Sequence, residues 1–135
     1  MRLALLSLVL ASTTPILTSG AWAAEQGKPY DPRAAFAETD TTKDGAIDLE
    51  EFHVRLVEIF YSADTNKEGF LSVDEYGRLP FSGAFKDADA NGDGRVSLPE
   101  FVRIRFLQFE AADTNNDGEL SIDEVVISYE GRKPK

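Results

Sequence analysis

Apolar residues recur at helical spacing through residues 52–63, where they form one stripe along a single helix face. The stripe comprises Phe52, Leu56, Ile59, Phe60 and Ala63. Twelve residues make one helix about 18 Å long, so this segment predicts a single helix with a buried face. His53, the sole histidine, lies off the stripe and is expected to be a partly exposed helix residue.

Residues 101–112 are apolar on most sides and predict a second helix of the same length, placed centrally in a small bundle. Its phenylalanines are expected to form core rather than a ligand pocket. Asp31 has the character of an N-cap and predicts a short first helix that runs through Phe36. Residues 125–129 are expected to complete the last helix before Gly131 and a basic tail.

The segment 76–88 breaks the pattern, because Gly77, Pro80 and Gly83 argue against one continuous helix. We expect a short exiting turn to Leu79 and a fresh helix that starts at about Pro80. This interruption predicts either a hinge between two halves of the protein or a simple kink.

A polar, acid-rich stretch of twelve residues precedes each of the segments 52–63, 76–88, 101–112 and 125–129. These stretches are residues 40–51, 64–75, 89–100 and 113–124, here called loops one to four. Each has glycine at place six and oxygen-bearing side chains at places one, three, five, nine and twelve. Hard divalent cations take six to eight oxygen ligands at about 2.3–2.6 Å, so this alternation predicts four metal-binding loops.

The candidate ligands are the side chains at those five places and the backbone carbonyl at place seven. In chain order they are Asp40, Thr42, Asp44, Ala46, Asp48 and Glu51 in loop one; Asp64, Asn66, Glu68, Phe70, Ser72 and Glu75 in loop two; Asp89, Asn91, Asp93, Arg95, Ser97 and Glu100 in loop three; and Asp113, Asn115, Asp117, Glu119, Ser121 and Glu124 in loop four.

The loops match this pattern unequally. Loops three and four satisfy it fully, whereas loop one has the neutral ligand Thr42 and loop two has the longer Glu68, which crowds the ion. Loop two is therefore predicted to be the weakest site. Loop three is read from Asp89 rather than Asp87, because only that frame places Glu100 at place twelve.

Place eight is apolar in every loop, as expected for a short strand residue that packs inward and pairs with a second loop. These residues are Ile47, Leu71, Val96 and Leu120. Only 12, 13 and 12 residues separate consecutive loops, which is too short for an exiting helix, a turn and an entering helix. We therefore predict an all-α fold, a compact bundle in which adjacent loops share connecting helices. Consecutive loops would then lie at opposite helix ends and would not pair with each other in the usual way.

Carboxylates crowd every loop, and their repulsion has a structural consequence. Two of them about 5 Å apart repel by roughly 3 kcal/mol at an effective dielectric near 20. A divalent ion removes this repulsion, so we predict that the metal-free protein is partly disordered and gains helix on binding metal.

The chain carries 24 acidic and 14 basic residues, a net charge of −10, which disfavours nucleic acid and anionic membranes as partners. It has no cysteine, which excludes disulfides and thiolate metal sites. Residues 1–23 have a basic start, an apolar run and a small-residue cleavage signal, and they predict a secretory signal peptide. An uncleaved anchor is the alternative. A single mature domain, 24–135, would then be periplasmic or secreted.

Together the loops resemble the EF-hand superfamily, and this resemblance implies calcium binding at up to four sites. The connector lengths, the export signal and the small size also resemble the lanmodulin family, in which four closely fused EF-hands bind lanthanide ions in the bacterial periplasm. That family has proline at place two and aspartate at place nine. The corresponding residues here are Thr41, Thr65, Ala90 and Thr114 at place two, and Asp48, Ser72, Ser97 and Ser121 at place nine. The loss of place-nine carboxylates favours calcium, and loop one is the best candidate for a lanthanide-adapted site.

The leading functional prediction is an exported, monomeric calcium-binding protein that acts as a metal buffer or a metal-dependent conformational switch. A lanthanide-binding protein is the first alternative. The second is a calcium-dependent adaptor for an unidentified protein, although the adaptable methionines of such grooves are missing, since Met1 is the only one. An enzyme is not expected, because every cluster of acidic residues is accounted for by metal ligation.

Overall fold

A computed structural model describes residues 29–80 and 83–132, so the predicted signal peptide and residues 133–135 lie outside it. Six helices and four two-residue strands form the described chain, and the predicted all-α class is confirmed. In order they are α1 (Pro32–Thr39), β1 (Ala46–Ile47), α2 (Leu49–Ala63), β2 (Phe70–Leu71), α3 (Val73–Gly77), α4 (Phe85–Ala88), β3 (Val96–Ser97), α5 (Leu98–Ala112), β4 (Leu120–Ser121) and α6 (Ile122–Arg132).

The two long helices α2 and α5 each have 15 residues and run directly from one loop into the next. The prediction that adjacent loops share a connecting helix is confirmed for loops one and two and for loops three and four. Both helices begin with a capping box, in which the place-nine side chain and the place-twelve glutamate exchange hydrogen bonds with each other's backbone N–H groups. The last residues of each loop therefore start the following helix.

The middle connector is interrupted, as predicted, but the fresh helix does not start at about Pro80. Helix α3 ends at Gly77, and the next helix, α4, begins only at Phe85. Gly83 has a φ of +72°, a left-handed conformation that a helix cannot pass through. The terminal helices also exceed their predicted bounds, because α1 extends to Thr39 and α6 continues through Gly131 to Arg132.

The strands pair the loops in an order that the sequence did not reveal. Strand β1 pairs with β4, and β2 pairs with β3, both antiparallel. The expectation that consecutive loops do not pair is therefore wrong for loops two and three. Because the connector between them is broken into two short helices, the chain reverses there and brings the loops side by side. Loops joined by an unbroken helix lie at its opposite ends and pair elsewhere.

Two apolar clusters fill the interior, one beneath each strand pair. The larger includes Phe60, Leu71, Tyr76, Val96 and Phe101, which are all at most 1% exposed. The smaller includes Phe36, Ile47, Ala112, Phe109 and Leu120. Helix α5 contributes to both clusters, which confirms its predicted central position. All four place-eight residues are buried, as predicted.

None of the helices in residues 29–80 and 83–132 combines the length and the apolar character that crossing a membrane requires.

Candidate metal centre

The four loops share one backbone conformation, which the glycine at place six makes possible. Its φ is positive in every loop, at +90° for Gly45, +85° for Gly69, +80° for Gly94 and +86° for Gly118. Place four is left-handed as well, in Lys43, Lys67, Gly92 and Asn116. A side chain at place six would be strained in this conformation, so glycine there is a requirement of the turn.

The place-one aspartate fixes this turn through its carboxylate. In loop four, Asp113 accepts hydrogen bonds from the backbone N–H groups of Asp117 (3.2 Å) and Gly118 (3.0 Å). The same pair of bonds recurs at Asp40, Asp64 and Asp89. Each place-one carboxylate is thereby aimed across the interior of its own loop.

The place-twelve glutamates are buried against the opposite side of the loops. In loop four, Glu124 Oε1 accepts hydrogen bonds from the backbone N–H of Thr114 (3.0 Å) and of Asn115 (3.3 Å). Its other oxygen, Oε2, accepts from the backbone N–H (3.0 Å) and the hydroxyl (2.9 Å) of Ser121. Equivalent bonds hold Glu51, Glu75 and Glu100. The place-twelve carboxylate thus ties the start of each loop to the start of the following helix.

These hydrogen bonds stabilise the charged carboxylates. The Ser121 backbone N–H makes the largest contribution for Glu124 and outweighs burial, so that the pKa of this group falls to about 2. Burial raises the pKa of Glu75, but hydrogen bonds from Ser72 and Thr65 outweigh that effect and lower the pKa to about 2. The pKa of Glu51 and that of Glu100 are also lowered.

These lowered pKa values predict a specific acid sensitivity of the metal-free protein. The folded state binds fewer protons than the unfolded state between the ordinary glutamate pKa of 4.5 and a folded pKa of about 2. The stabilisation is therefore complete above the higher value and is lost as the pH falls through the lower one. We expect the melting temperature in chelator to decrease across this range, and the decrease to be smaller when Glu75 and Glu124 are both glutamine.

Thermal melts followed by circular dichroism measure this effect. A charge-matched control is the double variant Glu110→Gln with Glu130→Gln, which removes two charges from exposed positions of α5 and α6. An unchanged pH dependence in the variant with glutamine at Glu75 and Glu124 would show that these carboxylates do not couple protonation to folding.

Threonine at place two has a role that the sequence analysis missed. The hydroxyl groups of Thr41 (3.0 Å), Thr65 (2.8 Å) and Thr114 (3.1 Å) each donate to Oε1 of the place-twelve glutamate of the same loop. Loop three has Ala90 there and supplies only backbone donors to Oε1 of Glu100. Threonine recurs at place two in three of the four loops, and this recurrence was the available signal.

The candidate ligands at places three and five lie on the exposed rim of each loop. Asp117 accepts from the backbone N–H of Glu119 at place seven (3.0 Å) and from the Asn115 amide (2.9 Å). Asp44 and Asp93 accept the equivalent place-seven N–H in loops one and three. In loop two the place-five residue is Glu68, which is exposed, and its backbone N–H donates to Asp64 and Asn66.

Within the described residues, no group of three or more histidine, aspartate or glutamate side chains is arranged so that it could hold a metal ion. The place-twelve glutamates instead accept hydrogen bonds from N–H groups of their own loops. The donors themselves are carboxylate, amide, hydroxyl and carbonyl oxygens, the set that calcium prefers. Donor chemistry and backbone turn therefore both fit a hard cation.

A helix–loop–helix arrangement with oxygen donors on a glycine turn defines a class of small metal-binding modules. The EF-hand family model matches residues 56–80, 82–107 and 104–125, and the model of an EF-hand domain pair matches residues 24–59. All four loops fall within these matches. The chain belongs to the EF-hand family, whose members bind calcium. No curated protein matches the chain.

Proposed function

We propose that this chain is an exported calcium-binding protein in which the four loops hold the ions and the place-twelve glutamates transmit occupancy to the helices. The ligands are the five side chains and the place-seven carbonyl assigned to each loop from the sequence. The observation that carries the proposal is the position of these glutamates, because each one is both a candidate ligand and the third residue of a helix. A change in its hydrogen bonds acts directly on the start of that helix.

The place-one and place-twelve residues of each loop have different roles in binding. The place-one aspartate, already directed inward by two N–H groups, supplies charge without a large rearrangement. The place-twelve carboxylate would exchange its N–H and hydroxyl partners for the cation, so that a stronger charge interaction replaces these hydrogen bonds. A bound cation supplies charge neutralisation. Binding alone makes the protein a metal buffer. A resulting shift in the helix start makes it a conformational switch.

Export is part of the proposal and is supported by the signal-like residues 1–23. Calcium concentrations are high outside the cytoplasm, so modest affinities, with dissociation constants of about 10⁻⁴–10⁻³ M, already fill extracellular EF-hand modules.

A lanthanide-binding function is the second candidate, and the observation that favours it lies in loop one. Asp48 supplies a fourth carboxylate in that loop, where the other loops have serine. Its Oδ1 accepts the backbone N–H of Glu51 at 2.8 Å, so it also caps helix α2. The other three place-nine residues are neutral, which favours a divalent ion across the protein as a whole.

Calorimetric titration with calcium and with lanthanum at matched pH separates the two functions. We expect calcium to bind with dissociation constants between about 10⁻⁷ and 10⁻³ M. We also expect Asp48→Ser to weaken lanthanum binding more than calcium binding, because attraction grows with ion charge. A lanthanum affinity in the picomolar range, with negligible calcium binding, would replace the calcium assignment by a lanthanide one.

A further inference from the structure

Loops three and four can be compared directly because their candidate side-chain ligands are identical. Their side-chain donors are the same, namely aspartate, asparagine, aspartate, serine and glutamate at places one, three, five, nine and twelve. They differ at place two, where only loop four has a hydroxyl donor, Thr114, and at place seven, where loop three has Arg95 and loop four has Glu119. Only the backbone carbonyl of place seven is a candidate ligand, so the side chains there are free to act on the site by charge.

The Arg95 side chain makes two contacts, one across the β2–β3 pair and one within loop three. Its Cζ lies 4.1 Å from the centroid of the Phe70 ring, a cation–π geometry. Its Nη2 lies 3.7 Å from Oδ2 of Asp93, the place-five candidate ligand of loop three. The guanidinium is therefore held next to a carboxylate that a metal ion would need.

Loop four has neither of these contacts. The strand that pairs with β4 has Ala46 at place seven, which offers no aromatic ring, and place seven of loop four itself is the anion Glu119. The place-five carboxylates otherwise have the same donors, since Asp93 accepts from Arg95 N–H and Asn91, and Asp117 accepts from the corresponding two groups. The distance from the asparagine amide to this carboxylate is 3.4 Å in loop three and 2.9 Å in loop four.

We propose that Arg95, held on the ring of Phe70, is a tethered cation that competes with metal at Asp93, lowers the affinity of loop three and makes loop four fill first. This inference rests on the proposed function, because it assigns the filling order and charge selectivity of the same loops. Repulsion from a fixed cation scales with the charge of the incoming ion, so Arg95 disfavours a trivalent ion more than a divalent one.

The place-six glycines provide matched reporters for a test. The backbone N–H of Gly94 donates to Asp89 at 2.9 Å, and that of Gly118 donates to Asp113 at 3.0 Å. Their amide resonances, followed during a calcium titration of the full chain, report the filling of loops three and four separately. In the unchanged protein we expect Gly118 to respond at lower calcium than Gly94.

Four variants test whether the residues at place seven set the filling order of loops three and four. Arg95→Gln is expected to raise the affinity of loop three about fivefold for calcium and about tenfold for lanthanum, in keeping with a half-exposed charge. The exchange Arg95→Glu with Glu119→Arg keeps the net charge and is expected to reverse the filling order. Phe70→Leu releases the guanidinium and is expected to give a smaller gain at loop three. Arg33→Gln, which removes an exposed charge from α1, controls for net charge.

A measurement on the metal-free protein tests the contact itself. The ring of Phe70 shifts the resonances of the Arg95 Hδ protons upfield, and Phe70→Leu removes that shift if the stacking exists in solution. An unaltered Hδ shift, or an exchange variant that fills its loops in the original order, overturns the inference while calcium binding persists. If neither glycine responds to calcium, the proposed function fails as well, so the two failures are distinguishable.

Discussion

Phe101→Ala is expected to lower the free energy of unfolding of the metal-free protein by about 3–5 kcal/mol. The Phe101 side chain is 0% exposed and lies against Phe60, with ring centroids 5.7 Å apart, in the larger of the two clusters. Removal of a buried phenylalanine costs about 3–5 kcal/mol, and a small domain is stable by only about 5–15 kcal/mol. This cluster also supports β2 and β3, so the cost falls on the paired loops two and three.

Urea denaturation in chelator, followed by circular dichroism, measures the change in the free energy of unfolding. Leu107→Ala is the matched control, because Leu107 lies on the same helix but is 50% exposed. We expect the control to change the free energy of unfolding by at most about 0.5 kcal/mol. Equal losses in the two variants would mean that the interior is not packed as described.

Glu124→Gln is expected to weaken calcium binding at loop four by about 100-fold, on the order of the effect of losing one ligand charge. Glutamine has nearly the same shape, so its effect isolates the charge from the packing. Glu130→Gln changes the same charge at an exposed position of α6 and is expected to leave loop four unaffected. The Gly118 amide resonance gives the affinity of that loop alone.

Glu75→Gln extends the comparison to loop two, which the sequence ranks as the weakest match. We expect a smaller change there, because Glu68 already weakens that loop. If Glu75→Gln weakens calcium binding as much as Glu124→Gln does, the ranking of loop two as the weakest site is wrong. If Glu124→Gln leaves the calcium affinity of loop four unchanged, the place-twelve glutamate is not a ligand.

The sequence was informative where one short pattern determined the local structure. Glycine at place six and the apolar place eight are each set within a dozen residues. The conformation of Gly118 and the burial of Leu120 therefore followed from the pattern. The shared helices also followed, because a connector of twelve residues has room for only one.

Loop pairing and side-chain contacts between loops could not be predicted in the same way. They depend on how the interrupted connector turns back, and that turn is set by Gly83 and by a second helix that begins as late as Phe85. Phe70 and Arg95 are far apart in the chain, and only the pairing of β2 with β3 brings them together. The hydrogen bond from the Thr114 hydroxyl to Glu124 joins the two ends of loop four, and only the folded turn brings these residues together.

Equilibrium dialysis against calcium, with the bound ion counted by atomic emission, tests the central claim most directly. The companion protein for this experiment has glutamine at all four place-twelve positions, Glu51, Glu75, Glu100 and Glu124. We predict that the unchanged protein retains calcium at more than one site per chain and gains helix as it does so, whereas the companion protein retains almost none. Calcium retention that is absent from both proteins, or equal in both, would contradict the account.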